Sequence, residues 1–331
     1  MNLIREIRLP NGRVTKNLGF GCAGILRLPT NGQREKLLRT AFDAGLTHFD
    51  VARMYGAGAA EGILGSCLNK MRGQITLATK FGFPCGVPSR KRVFVQSMGR
   101  WAVNLHPGIK KWIKKKPAAS PAGADRHYNY SVEEMESSLA TSLRELKTDS
   151  VDLYFIHEPR RADVVPEGLG RALQQKKDEG KVGAYGISGI PSDVLYFLKS
   201  RPDLGGEAIQ HNFVLGDAPS LLLQQSAYTG VFHVLSGSLP AAENFLKHDP
   251  ALARHWSEKL SLDLTQRQNL AVVILALALN DNPRGMVLFF TSNSRRIEAA
   301  VKRLTDNSFS AESLSEFREV LGQPVKEMYA Q

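Results

Sequence analysis

The sequence has no apolar run long enough to cross a bilayer, which takes roughly 20 residues; its longest apolar stretch, Leu270 to Leu279, matches one buried helix face. The opening MNLIREIRLPNG carries charges inside its short apolar stretch and shows no leader-like apolar region or small-residue cleavage site, so a cytoplasmic protein is expected. Cysteine is scarce: Cys22, Cys67 and Cys85 are odd in number and far apart. That argues against a disulfide framework and a zinc site, and reduced thiols without metal are expected. Acidic residues are outnumbered, 32 against 43 Lys and Arg, for a net charge of +11. Such a balance favours anionic partners, whether nucleotide phosphates, acidic substrates, nucleic acid or anionic lipid. The shortage is local: Ser89 to Lys116 holds Arg90, Lys91, Arg92, Arg100, Lys110, Lys111 and Lys114 to Lys116, with Trp101 and Trp112 among them, and not one Asp or Glu. An apolar share of 43% can bury a sizeable core, and 331 residues fit one large α/β barrel as readily as two smaller domains.

What the chain does have is a repeated way of ending strands. Thr47 to Asp50 is β-branched and aromatic, stops at a carboxylate, and is followed by Tyr55 and the glycine-punctuated Gly56-Ala57-Gly58. Gln74 to Thr79 runs into Lys80 and stops at Phe81-Gly82; Val151 to Ile156 runs into His157 and stops at Glu158-Pro159. Segments of helical periodicity alternate with these strands, the pattern of parallel βα units. In a parallel barrel the C-terminal strand ends form one face, where such folds keep their chemistry. Asp50, Tyr55, Lys80 and His157 are therefore expected to converge. Singly each has an ordinary role, an Asp after a strand being commonly a turn or cap residue. Jointly they make a proton-donating device. A phenol near pKa 10 is a poor acid at neutral pH, but the Lys80 ammonium lowers it, Asp50 holds Lys80, and His157 donates a hydrogen bond to a carbonyl oxygen. The set suits carbonyl reduction and does not suit acyl transfer.

The segments around these residues are HFDVARMYG (His48 to Gly56) with Gly58, Glu61 and Leu64-Gly65; TKFG (Thr79 to Gly82); DLYFIHEP (Asp152 to Pro159); GKVGAYGIS (Gly180 to Ser188); and IQHNF (Ile209 to Phe213). In order and spacing they resemble the aldo-keto reductases, from Leu18 to about Leu304. The resemblance implies an α/β fold, a (β/α)8 TIM barrel with an N-terminal β-hairpin and a long loop after strand 3. One domain is expected over 1–331, with the basic loop 81–130 over the active site. It also implies an oxidoreductase interconverting an aldehyde or ketone and the alcohol, with Tyr55 as acid, Lys80 and Asp50 as its tuning pair, and His157 orienting the carbonyl. NADP(H) is the expected cofactor, with NAD(H) the alternative. Cys22 and Asp50 fall where the nicotinamide approaches, Ser188 and Gln210 at its carboxamide, Ser236 or Ser238 at the pyrophosphate, and Thr291, Ser292, Asn293 and Arg296 at the adenosine end. Arg296 suits a 2′-phosphate, which it can grip bidentately beside a helix N-terminus.

Three positions depart from the family pattern. Gly189 stands where an Asn commonly follows the serine; Val234 or Leu235 occupies the place of an aromatic residue that stacks on the nicotinamide; Phe290 replaces a basic residue. These departures motivate a second reading, a nucleotide-sensing regulatory protein with little turnover. The basic loop reads as a lid attracting anionic substrates or covering the cofactor, or as a solvated insertion; nucleic-acid binding has no motif behind it. The substrate and the oligomeric state are left open.

In chain order, Asn11-Gly12 between alternating runs predicts a hairpin over Ile4 to Asn17. Helices are expected at Asn31–Ala44, Ala59–Met71, Val132–Leu146 (with a Ser131/Glu134 capping box), Pro166–Glu179, Ser192–Lys199, Pro219–Ala227, Thr265–Leu279, Ser294–Leu304 and Ala311–Leu321. The seventh strand is expected at Gly230–Leu235, followed by a loop region over Ser236–Leu262.

Overall fold

Runs of β-branched and aromatic residues separated by helix-length segments cannot pair through tight turns, so successive strands lie parallel. A computed structural model of the chain describes residues 2–56, 58–83, 128–204, 207–216, 228–306 and 309–330. After the hairpin β1 (Glu6–Arg8) and β2 (Val14–Lys16), eight strands follow: β3 (Leu18–Gly21), β4 (His48–Asp50), β5 (Thr76–Phe81), β6 (Val151–His157), β7 (Val182–Gly189), β8 (Ala208–Asn212), β9 (Tyr228–Phe232) and β10 (Met286–Phe289). They close in sequence order, β10 pairing with β3, and every pairing is parallel. The helices around them are α1 (Asn31–Asp43), α2 (Ala59–Leu68), α3 (Val132–Leu146), α4 (Leu169–Asp178), α5 (Pro191–Ser200), α6 (Val234–His248), α7 (Pro250–Lys259), α8 (Arg267–Asp281), α9 (Ser294–Thr305) and α10 (Ala311–Ala330). The closed α/β barrel and its N-terminal hairpin are thus as expected. The basic segment 84–127, Ala57, Cys85 and the helix expected at Pro219–Ala227 lie outside the described residues.

Two apolar cores form, as a barrel requires. The inner one holds Ala78, Leu153, Phe155, Ala184, Ala208, Tyr228, Met286 and Leu288, and the hairpin's Ile7 and Leu9 plug it from below. The outer one lies between strands and helices and takes in α8, where Leu270 and every residue from Val272 to Leu279 are buried. Cap chemistry matches the sequence at Gly45, which turns left-handed after α1 (φ 91), and at Thr30, whose capping box is complete. At α3 only half of the expected box forms: Ser131 Oγ accepts from Glu134 N at 3.2 Å, while the Glu134 carboxylate accepts from Ser138 Oγ.

The seventh strand is a correction. It ends at Phe232 rather than Leu235, because His233 takes the left-handed region (φ 59) and the chain turns directly into α6. The expected loop Ser236–Leu262 is largely the helices α6 and α7. Although Gly237 and Pro240 lie within α6, its Val234, Ser238, Leu239, Ala241, Ala242 and Leu246 present one buried stripe. Pro250 sits at the first turn of α7, where its missing N–H costs nothing, and Asp249 caps that helix through Leu252 N.

The hairpin is locked to the barrel by one carboxylate. Asp152, 1% exposed, accepts from Asn11 Nδ2, from the guanidinium groups of Arg13 (3.1 Å) and Arg72 (2.9 Å), and from Leu77 N (2.8 Å). Replacing it leaves a buried N–H without acceptor and two part-buried cations without counterion. Asp152→Ala is expected to cost about 3 kcal/mol of stability in urea unfolding, and a loss under about 0.5 kcal/mol would show that water replaces the carboxylate.

Candidate active site

The C-terminal ends of β4, β5, β6, β7 and β8 bring the predicted residues together. Lys80 Nζ donates to Asp50 Oδ1 at 2.5 Å and to Val51 O at 3.1 Å, and both side chains are almost fully buried. Gln210 Nε2 donates to the other oxygen, Asp50 Oδ2, at 2.8 Å, and Ser188 Oγ donates to Gln210 Oε1 at 2.9 Å. One hydrogen-bonded chain therefore joins four strand ends. Strand register builds it: Ser188 is paired with Gln210, and Asp50 with Ala78, two residues before Lys80.

Tyr55 reaches over this chain from the β4–α2 loop. The Lys80 ammonium lies 5.4 Å from its ring centroid, and the His157 ring stands edge-on to it at 6.1 Å. His157 is braced in turn: Phe83 packs on its ring at 5.2 Å, and Tyr130 OH donates to its carbonyl at 3.0 Å. Tyr128 stacks on Tyr130 and meets Phe83 edge-on at 4.5 Å, while Arg160 covers Tyr128. Glu158, next after His157, has φ 51, left-handed backbone of a kind concentrated at functional sites.

The electrostatics differ from the sequence expectation at Tyr55. Burial first, then the Asp50 carboxylate, push its phenol well above the ordinary value near 10, rather than Lys80 pulling it down. Burial outweighs the ammonium in the resting site, because the Asp50 carboxylate at 2.5 Å offsets part of the Lys80 field at the ring. Tyr55 thus holds its proton firmly. Burial, with Lys80 adding to it, pushes the His157 imidazole well below its usual range. It is neutral at pH 7, an N–H donor without charge.

The other predicted residues divide. Cys22 is buried next to Asp50, its N donating to Asp50 O at 2.7 Å, and burial pushes its thiol up. Ser236 is exposed and bonds back to His233 O, whereas Ser238 Oγ is buried without a partner among the described residues. Thr291, Ser292, Asn293 and Arg296 gather at the start of α9: Asn293 caps it through Arg295 N, Thr291 Oγ1 accepts from Asn293 N, and Arg296 is exposed. Phe290 does not join them. Its ring packs over Gly24, where a Cβ would come within 2.2 Å, and carries Arg27 at 5.8 Å.

Sequence reasoning missed Phe83, Tyr128 and Tyr130 because they flank a stretch without periodicity. It also missed an aromatic at strand 7. With the strand ending at Phe232, that half-buried ring, not Val234 or Leu235, stands at the mouth and packs on the inner core. The clue was available: Phe232 is in phase with Tyr228, period 2 along the strand.

A closed parallel barrel that gathers a buried lysine–aspartate pair, a tyrosine and a histidine at its C-terminal mouth defines the class of α/β barrels that carry their polar cluster at the strand ends. The sequence profile of the aldo/keto reductase family matches residues 17–235, and the chain belongs to that family. It is similar to a D-threo-aldose 1-dehydrogenase of a Pseudomonas species, 25% identical over 61% of this chain and 59% of that protein. It is also similar to a probable aldo-keto reductase 1 of Glycine max, 28% identical over 58% of this chain and 47% of that one. The matched segments thus span about half the length of these curated relatives. Among solved structures, an aldo-keto reductase from Klebsiella pneumoniae in complex with NADPH superposes with a TM-score of 0.66 at 18% identity, covering 96% of this chain and 95% of that one. At that identity the likeness speaks for the fold.

Proposed function

We propose that the protein is an NADP(H)-dependent oxidoreductase that interconverts an aldehyde or ketone and the corresponding alcohol. The observation that carries the reading is the Asp50–Lys80 pair beneath Tyr55, with neutral His157 facing the phenol. The nicotinamide, when bound, supplies or accepts the hydride. The protein's own groups handle the oxygen. The His157 N–H and the Tyr55 O–H bond the carbonyl oxygen, and as the carbon is reduced that oxygen takes the Tyr55 proton. The resulting phenolate is then stabilised by the Lys80 ammonium. Positioning and charge stabilisation in a site already buried account for most of the acceleration.

The residues present fit the cofactor. Ser188 and Gln210 offer a hydroxyl and an amide side by side, and Asn212 Oδ1, two residues on along the same face of β8, is buried without a partner among the described residues. Such an orphan acceptor suits the NH2 of a carboxamide. Phe232 offers a ring face in place of the aromatic residue thought missing. At the other end, the capped start of α9 with Arg295 and Arg296 favours a phosphate over a bare hydroxyl. The Klebsiella pneumoniae structure that shares the fold is itself a complex with NADPH. Within this reading the chain forms one reductase domain over residues 1–331, and its net charge of +11 favours anionic carbonyl compounds. Phe83 packs on His157, and Tyr128 packs on Phe83. Family membership and the assembled cluster favour turnover over nucleotide sensing. No described helix is long and apolar enough to span a membrane.

The test is a fluorescence titration with NADPH and NADH followed by a screen of simple aldehydes and ketones. Tight NADPH binding with turnover is expected; binding of neither nucleotide would sink the proposal. Arg296→Ala is expected to weaken NADPH by about 30-fold and NADH by less than about threefold, the loss of a charge-assisted phosphate contact. Equal losses would place Arg296 on the adenine or ribose instead.

A further inference from the structure

The loop bearing Tyr55 is tied to the strand bearing Lys80 by a second buried ion pair that the chemistry above does not use. Arg53, two residues before Tyr55, is 4% exposed, and Glu61, in the first turn of α2, is 0% exposed. Arg53 Nη1 donates to Glu61 Oε2 at 2.8 Å, and the other carboxylate oxygen accepts from Thr79 Oγ1 at 2.7 Å. Thr79 directly precedes Lys80 in β5, and side chains alternate along a strand. Thr79 therefore faces outward to α2 while Lys80 faces the mouth. The Arg53 N–H also points to Lys80 O, at 3.5 Å, and Tyr55 O accepts from Ala60 N. Both ends of the Tyr55 loop are thus referred to β5, one through its backbone and one through Glu61. Beyond Tyr55 the backbone requires glycine: Gly56 and Gly58 hold φ 62 and 89, and a Cβ at Gly56 would lie 1.6 Å from Leu26 Cδ1.

Two buried charges are an expensive way to hold a loop. Their desolvation is offset only in part by their attraction, and well-packed apolar residues at such positions are frequently no less stable. What an ion pair with a third hydrogen bond gives, and apolar packing does not, is a fixed distance and direction. We propose that Arg53, Glu61 and Thr79 form a positioning device that sets the Tyr55 phenol against the Lys80 ammonium. The inference rests on the reductase reading, and adds to it residues that touch neither substrate nor cofactor.

The test compares the wild type with the double variant Arg53→Met/Glu61→Met and with Glu61→Gln, which is isosteric and still offers Thr79 an acceptor. Four quantities are read: melting temperature, NADPH affinity, single-turnover reduction rate, and amide hydrogen exchange over residues 51–56. The double variant is expected to melt near the wild-type temperature and to bind NADPH as well, while reduction slows about 30-fold and the loop amides exchange about tenfold faster. A folded double variant with wild-type rate and exchange would reduce the pair to ordinary packing. Should the double variant not fold, Glu61→Gln decides by the same two readings, with smaller changes in the same direction expected. If the wild type itself reduces no carbonyl, the reductase reading fails, and exchange alone decides the positioning: faster loop exchange upholds it, unchanged exchange overturns it.

Discussion

Tyr55→Phe is expected to lower the single-turnover rate of aldehyde reduction by about 1,000-fold while leaving NADPH affinity within about twofold, the range for removing a placed general acid. The substitution deletes one oxygen from a half-buried ring, so packing on His157 survives and the Asp50–Lys80 pair is untouched. The structure sharpens the expectation. Burial and Asp50 hold the phenol proton well above the ordinary range, so at neutral and mildly alkaline pH Tyr55 is protonated. No alkaline loss of reduction from Tyr55 ionisation should therefore appear near pH 10, where an ordinary phenol would titrate. A variant retaining more than a tenth of the wild-type rate would mean that water or His157 supplies the proton, and the acid assignment would fall.

That prediction also marks where the sequence was silent. Strand ends are legible because a carboxylate, ammonium or imidazole at the close of an apolar run is a period-2 pattern followed by turn residues, and Asp50, Lys80 and His157 were found that way. Their mutual distances were not legible. Whether Lys80 acidifies Tyr55 depends on how closely Asp50 neutralises it, and a contact of 2.5 Å across a strand pairing is a property of register, not of composition. The same applies to Arg53 and Glu61. In sequence they are one charged residue in a loop and one in a helix, and only folding shows that both are buried against Thr79.

The misread region after β9 has a different cause. VFHVLSGSL mixes apolar residues with His233, Ser236, Gly237 and Ser238, so neither a period of 2 nor one of 3.6 stands out. The decision is made by His233, which adopts the left-handed region, and by the outer core, which takes up the α6 stripe. Moving the strand end back to Phe232 restores an aromatic ring to the mouth. Under the proposed function, that ring answers one of the three departures that motivated a sensing role.

Lys80→Met separates the two things that the buried lysine does. Asp50, 3% exposed, would keep its bond from Gln210 but lose its counterion in a site that admits little water. Removing one partner of a buried pair costs about 3 to 5 kcal/mol, so the single variant is expected to unfold at markedly lower urea. Adding Asp50→Asn removes the stranded charge, and the double variant should regain most of that loss. Catalysis should not follow. Without the ammonium the Tyr55 phenolate loses the positive charge set beside it, so both variants are expected to reduce aldehydes about 1,000-fold more slowly than wild type. Recovery of stability without recovery of rate would assign the ion pair to chemistry. Parallel recovery of both would mean that the single variant fails because its site is deformed, and that Tyr55 releases its proton without help from Lys80.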